Sequence, residues 1–371
     1  MVKRRRGPPA RKQQPDHPGP PSFRAGWNTA TELHAPTRNS APRGPVTDDA
    51  RGGRGTLKAM HVAAVPRPVE VPSRRFGAYQ LRSRLGSGGM AEVFLADAVD
   101  LRGEPFSVAL KLMRKEVPAE VFADEADLMG LLEHPNLVQR LEVGEAFGRP
   151  FIAMELLVGG DLGGLMRALR QQRQPFPPGM AVHVGLEVLR GLAYFHQART
   201  RSGRPLGLVH GDVNPANIFF SGDGEVKLGD FGVAKARGVD IGPADGVAAG
   251  KLHYLSPEQT RGEPLTPASD VFAVGIVLHE LLVGTHPFQR ELTDPHVVMA
   301  TIRAARLNLP LTLDRTLAAI LRKALAPDVA SRYRTAGELA GALLTWSLDT
   351  GESPTRADVR HWLAESLGLI G

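Results

Sequence analysis

The chain has 371 residues, 42% of them hydrophobic, enough for one large two-lobed domain, or two domains, with a buried core and tails. It contains no cysteine, which excludes disulfides, thiolate metal sites and a thiol nucleophile, and is compatible with a reducing cytoplasm. The formal charge of +6 is uneven: residues 1–75 carry 15 Lys+Arg against 5 Asp+Glu, the remainder 30 against 34, so a basic tail precedes an acidic body and no specific nucleic-acid binding is expected.

Residues 1–75 hold 12 of the 30 prolines and show neither helical nor strand periodicity, so they are expected to form a disordered basic tail. Its "KRRRGPPARK" run reads as a solvated tail, or as a patch for an anionic or regulatory partner or a membrane surface. Met60 offers a second start, which would leave residues 1–59 unmade. No apolar segment follows the basic N-terminus, and no run approaches the roughly 18 apolar residues of a membrane span, so neither signal peptide nor span is expected and the location is read as cytoplasmic. Order is expected from Phe76. "YQLRSRLGSGGMAEVFLADAV" alternates on both sides of a glycine cluster and predicts strand, turn, strand; "FSVALKLM" (106–113) predicts a further strand. Residues 118–133 have helical spacing, and 137–157 read as two strands around a Gly-containing turn. From 161 the pattern turns helical, over 161–172, 179–198, 268–284, 294–305, 314–326 and 335–348. A strand-rich front and helix-rich back predict two lobes of different class, an α+β architecture.

Several residues sit where physical chemistry makes them expensive unless they work. The glycines of "LGSGGMAEV" (85–93) let backbone N–H groups approach an anion, although most such turns are merely tight. Lys111 lies among apolar strand residues, and is costly there unless it snorkels or pairs; Glu125 on the next helix is a candidate partner. Asp212, Asn217 and Asp230 would together form a hard-oxygen site suited to Mg²⁺, with Asp212 able to accept a hydroxyl proton. Each piece is ambiguous alone. The ordered set is not: G-x-G-x-x-x-x-V, V-A-x-K, a helical Glu, H-x-D-x-x-x-x-N, D-F-G, S-P-E.

With that set the chain resembles the Ser/Thr protein kinases of bacteria that share the eukaryotic kinase fold, over roughly residues 76–345. The resemblance implies a bilobal fold, with a small antiparallel β-rich lobe (76–157), a large helical lobe (158–345) and a short C-terminal helical extension (346–371). It implies ATP and Mg²⁺ as cofactors and proteins as substrates. It places Leu85, Gly86, Ser87, Gly88 and Gly89 over the nucleotide, the four loop residues against its phosphates, and Lys111 on the α- and β-phosphates, paired to Glu125. Val93, Ala109 and Phe219 would enclose the adenine, Met154 would stand behind it, Glu155 and Leu157 would offer hinge backbone contacts, and Asp161 would lie near the ribose. Asp212 would be the catalytic base, Asn217 and Asp230 the Mg²⁺ ligands, Glu258 the partner of Arg332, and Asp270 the brace of the catalytic loop.

The sequence also departs from that family. Ala91 stands for the third loop glycine, and Gly211 for the Arg of H-R-D. That Arg commonly binds a phosphate on the activation loop, and residues 233–250 hold no Ser, Thr or Tyr; with receptor and ligand both missing, activation-loop phosphorylation is not expected to switch the protein on. Asn214 replaces the catalytic-loop Lys. Lys251 occupies a position where the family usually has Thr, so either the cation has moved to Lys251 or Lys251 is a solvent-facing residue. Ala216 removes one reason to expect a basic recognition motif. "DVNPAN" and "GKLHYLSPE" do not resemble the tyrosine-kinase pattern. The rival readings are a nucleotide-binding pseudokinase acting as a scaffold, supported by Gly211 and Asn214, and a small-molecule kinase, which the S-P-E segment disfavours. His183, His196, His253 and His279 lack ligand spacing and read as core or surface residues. Val359, Trp362, Leu363 and Leu367 share one helical face, for packing on the large lobe or for a partner.

Overall fold

The computed structural model describes residues 69–115, 119–200, 202–230, 235–236, 249–288 and 293–368. Its front half is a sheet. Strands β1 (Val69–Phe76), β2 (Tyr79–Ser87), β3 (Ala91–Val99) and β4 (Pro105–Met113) precede helix α1 (Ala119–Leu131), then β5 (Arg140–Ala146) and β6 (Arg149–Glu155). They pair antiparallel in the order β1-β2-β3-β4-β6-β5. The period-2 pattern decides the faces. In β4, Val108, Leu110 and Leu112 are buried against Phe94, Ala96, Phe151 and Ala153. The intervening Ala109 and Lys111 project to the opposite face, with Leu95 opposite Ala109, Val93 opposite Lys111 and Met154 opposite Ala109. Register alone therefore puts the predicted adenine-side residues of this lobe, Val93, Ala109 and Met154, next to one another. Phe76, Tyr79 and Phe151 meet edge to face under the far side of the sheet.

The rest is mostly helical. In chain order come α2 (Leu162–Gln171), α3 (Pro178–His196), β7 (Leu208–Val209), β8 (Ile218–Phe220), β9 (Val226–Leu228), β10 (Lys235–Ala236), α4 (Ala249–Leu252), α5 (Pro267–Val283), α6 (Pro295–Ala304), α7 (Arg315–Ala324), α8 (Ala336–Thr350) and α9 (Arg356–Ser366). Every residue of α5 from Ala268 to Leu281 is buried, the apolar ones in the core and the polar Ser269, Asp270 and Glu280 against partners. Pro267 opens it and Gly284, at φ +83°, closes it in the left-handed conformation. α3 and α8 pack around it, and one apolar cluster runs from α1 through Leu137 and Leu228 into these helices. Among the described residues no helix is long and apolar enough to cross a membrane.

Two expected boundaries shift. Ordered chain starts before Phe76, because residues 69–76 form β1 and pair with β2; the tail expectation for residues 1–68 lies outside the described residues. The cut between 345 and 346 falls inside α8, which continues to Thr350 because Trp346 and Ser347 are buried under it. The extension proper is α9. Its Val359 and Leu363 and the following Leu367 are buried, Trp362 packs edge to face on Phe176, and the Gln172 side chain donates to the Ser366 carbonyl at 2.9 Å. Arg356 pairs with Glu225 at 2.9 Å, beside the β8–β9 turn. The apolar face of α9 is thus used against the chain itself.

Candidate active site

Lys111 is the costly residue of β4, and its ammonium is paired twice. It lies 2.5 Å from Glu125 Oε1 and 3.0 Å from Asp230 Oδ1. Burial alone would push its pKa down, but the charges of Asp230 and Glu125 outweigh that and hold it above the usual lysine value. Asp230 mirrors this. Burial opposes its charge, yet Lys111 first and Lys251 after it keep its carboxyl below the ordinary range. One cation thereby ties α1 of the sheet lobe to Asp230, two residues past β9. Asp230 sits at φ +63°, a left-handed conformation that Asp tolerates better than most residues and that recurs where sites hold strain. Phe231 and Gly232 of the D-F-G run lie outside the described residues.

Asp212 stands in the loop between β7 and β8 and is held from several directions. Asn217 Nδ2 donates to its carbonyl at 2.8 Å and to Oδ2 at 3.0 Å. Asn214 Nδ2 donates to the same carbonyl and to Oδ1, both at 3.0 Å, while Asn214 Oδ1 accepts from Ala216 N–H and caps the 3-10 turn Pro215–Asn217. Lys251 Nζ, at the end of α4, lies 2.5 Å from Asp212 Oδ2. The loop itself hangs on Asp270 of α5, whose carboxylate accepts from His210 N–H and Gly211 N–H at 2.8 Å each and pairs with His196 Nε2 at 2.7 Å. His196, read from spacing as a core or surface residue, supports this brace. Burial opposes the charge of Asp270; the bond and charge of His196, then the charge of His210 and the Gly211 amide, hold its pKa below the usual value. The Gly229 N–H donates to the Asn217 carbonyl, joining the loop that holds Asp212 to the turn between β9 and Asp230.

The residues fit the cofactors implied by the resemblance. Asn217 uses its amide nitrogen on Asp212, which leaves its amide oxygen, with the second oxygen of Asp230, as hard donors. Mg²⁺ takes its remaining ligands from phosphate and water. A Cβ at Gly86 or Gly89 would meet nothing within 4 Å, and neither glycine needs positive φ, so internal packing does not demand glycine there. A ligand passing close over the backbone would. The loop is braced by Arg114, whose guanidinium donates to the Gly88 carbonyl and to Ser87 Oγ at 3.0 Å each. Neither Arg114 nor His196 carries a motif, so sequence reading missed both. On the hinge side, Glu155 N–H is committed to the Gln139 carbonyl, and its carboxylate accepts from Gln139 N–H and Lys227. Any backbone contact it makes to a ligand is therefore through its carbonyl. Leu157 O accepts from Gly160 N–H, and Asp161 caps α2 through Gly164 N–H at 2.8 Å while bridging to Phe219, so the hinge, the predicted ribose residue and the lower adenine residue are neighbours. Leu85 is half-buried at the end of β2.

Glu258 of the S-P-E segment makes a bidentate pair with Arg332, at 2.8 Å on each side, and accepts from Ser269 Oγ at 2.7 Å. This locks the end of the activation segment to α5 and to the turn after α7. The protein kinase domain family matches residues 79–341, a span that starts in β2 and ends in α8.

The chain belongs to the protein kinase family.

It is 38% identical over 283 residues to tyrosine-protein kinase MasK of Myxococcus xanthus, covering 73% of this chain and 43% of that protein. It is 33% identical to serine/threonine-protein kinase PrkC of Bacillus subtilis, over 74% of this chain and 41% of that protein. It is 34% identical to serine/threonine-protein kinase PknB of Mycobacterium tuberculosis, over 77% and 45%. The chain spans less than half the length of these curated relatives. The kinase-family alignment makes the bilobal reading of the sheet and helix halves the right one.

Proposed function

We propose that this chain transfers the γ-phosphoryl group of Mg·ATP to Ser/Thr hydroxyls of protein substrates. The observation that carries this reading is the single ammonium of Lys111 bridging Glu125 and Asp230, which draws the sheet lobe and the metal-binding loop to one place. Bound Mg·ATP would supply the transferable phosphoryl group and neutralise its developing charge. The chain's part is positioning: the glycine loop covers the phosphates, Lys111 orients them, Asn217 and Asp230 offer metal ligands, and Asp212 orients and accepts the proton of the acceptor hydroxyl. Lys251, beside Asp212, provides the cation that Asn214 does not.

Ser/Thr specificity is favoured by "DVNPAN" and "GKLHYLSPE", and by the names of PrkC and PknB; the name of MasK keeps tyrosine as the competing acceptor. A scaffold that binds nucleotide without transfer is the second reading, resting on Gly211 and Asn214. Radiolabelled γ-phosphate transfer to a generic basic protein, followed by acid hydrolysis and separation of the phosphoamino acids, distinguishes all three. The expected product is phosphoserine or phosphothreonine, with Asp212→Asn lowering the rate by about 10²–10⁴-fold. Phosphotyrosine would move the assignment to the tyrosine class, and ATP binding without transfer would move it to the scaffold.

The reading includes independence from activation-loop phosphorylation. The loop lacks hydroxyls, and Gly211 offers no guanidinium to a phosphate. Most of residues 233–250 lie outside the described residues, so the support is the sequence and the Gly211 geometry. Protein treated with a phosphatase that is then removed is expected to retain the untreated rate. A lag that autophosphorylation abolishes would sink this part of the proposal.

A further inference from the structure

Gln259 follows the S-P-E segment and begins a 3-10 turn, Gln259–Arg261. Both ends of its side-chain amide are used. Oε1 accepts from Ser256 N–H at 2.8 Å, and Nε2 donates to the Gly211 carbonyl at 2.9 Å. The orientation is self-consistent, because turning the amide over would set oxygen against the carbonyl and NH₂ against the N–H.

The Gly211 carbonyl belongs to the peptide that joins Gly211 to Asp212. On the other side of Gly211, Asp270 already holds two N–H groups. The residue before the base is therefore gripped from α5 on one side and from the end of the activation segment on the other. Gly211 suits this arrangement. It sits at φ +74°, and a Cβ there would meet Leu265 Cδ1 at 3.3 Å and Gln259 Nε2 at 3.9 Å. The segment that carries Gln259 is itself fixed: Ser256 is fully buried and Glu258 is anchored on Arg332.

Resting on the phosphotransferase reading above, we propose that Gln259 is a positioning residue for Asp212. Through the Gly211 carbonyl, it couples the seating of the S-P-E segment on the large lobe to the direction of the catalytic peptide. The link is made by an uncharged side chain and requires no phosphate on the activation loop, whose residues 233–250 hold no Ser, Thr or Tyr.

The test uses the full chain with two variants. Gln259→Glu is isosteric, keeps an acceptor for Ser256 N–H and loses the donor to Gly211. Gln259→Leu loses both. In each, kcat is expected to fall between about 10- and 100-fold, the scale of a small misplacement of a reacting group, with KM for ATP unchanged. Hydrogen–deuterium exchange of the peptide spanning residues 208–217 is expected to quicken in both variants. This readout does not depend on turnover, so it decides the link even if wild type transfers no phosphate, an outcome that would instead overturn the proposed function. Should Gln259→Leu fail to fold, Gln259→Glu carries the test. Wild-type exchange and kcat in Gln259→Glu would overturn the proposal, whatever Gln259→Leu does.

Discussion

Lys251→Met is expected to lower kcat for phosphoryl transfer by about 10²–10³-fold, the cost of losing one preorganised electrostatic group, with little change in KM for ATP. The expectation rests on where the ammonium lies. It is 2.5 Å from Asp212 Oδ2, on a side chain that is 40% exposed, so it can shift toward a phosphate without leaving a buried charge behind. It also helps keep Asp230 charged, after the larger influence of Lys111 and against the effect of burial, so its field covers the metal side of the site as well. Asn214 cannot take over that duty. Its amide is occupied with Asp212 and with the cap of the following turn. The double variant Asn214→Lys/Lys251→Met should recover part of the lost rate, because it returns a cation to the position from which the charge moved. Initial-rate kinetics with saturating acceptor protein compare both variants with wild type. A Lys251→Met rate equal to wild type would show a bystander. A faster one would show that Lys251 masks Asp212, and either result ends the substitution hypothesis.

The second large effect concerns stability. Arg332→Met should lower the unfolding free energy by about 3–5 kcal/mol, because it strands the Glu258 carboxylate in a buried position. Arg332 also donates to the Ala326 and Pro327 carbonyls and lies over the Phe272 ring at 4.7 Å, so one side chain closes several backbone groups at once. Adding Glu258→Gln to Arg332→Met should restore part of the loss, since no unpaired charge then remains. The pH dependence has a definite sign. Burial raises the Glu258 pKa and Arg332 with Ser269 more than reverses this, so in the native protein it lies below the usual 4.5. The pair's contribution is present above that value and is lost as pH falls through the depressed native one. In Arg332→Met, the Arg332 charge and hydrogen bond no longer oppose burial, the Ser269 bond alone of the two named partners remains, and the carboxyl pKa rises. The gap between wild type and variant should therefore be widest near neutrality and narrow as the solution is acidified. Urea unfolding midpoints across that range test it, and a gap independent of pH would refute the assignment.

Much of this molecule can be read without coordinates, for physical reasons that are local. Alternation in 79–113 separates Val108, Leu110 and Leu112 from Ala109 and Lys111 because neighbouring side chains on a strand point to opposite faces. Helical periodicity located α2, α3 and α5 to within a residue or two, because caps and apolar stripes are properties of a few consecutive residues. The ordered motifs then named Lys111, Glu125, Asp212, Asn217 and Asp230 as a set, and an unpaired lysine in a buried strand demanded a partner before any partner was visible. The start of the sheet and the domain limit at 345 shift by a few residues for a related reason. β1 is a strand by virtue of pairing with β2, and α8 continues past 345 by virtue of what covers Trp346, and neither cover is a local property.

The contacts that make the site particular to this chain were beyond local reading altogether. Lys251 meets Asp212 across 39 positions and Gln259 meets Gly211 across 48, while the 74 positions between Glu258 and Arg332 are spanned in the sequence only by the family resemblance. No periodicity or spacing rule connects such residues, because their distance depends on how the shared helical core stacks the loops that hold them. The sequence by itself determined which chemical groups are available and which lobe each belongs to. The tertiary structure decided which of them touch, since a long-range contact exists only after packing has overcome the entropy of closing the chain between its two ends.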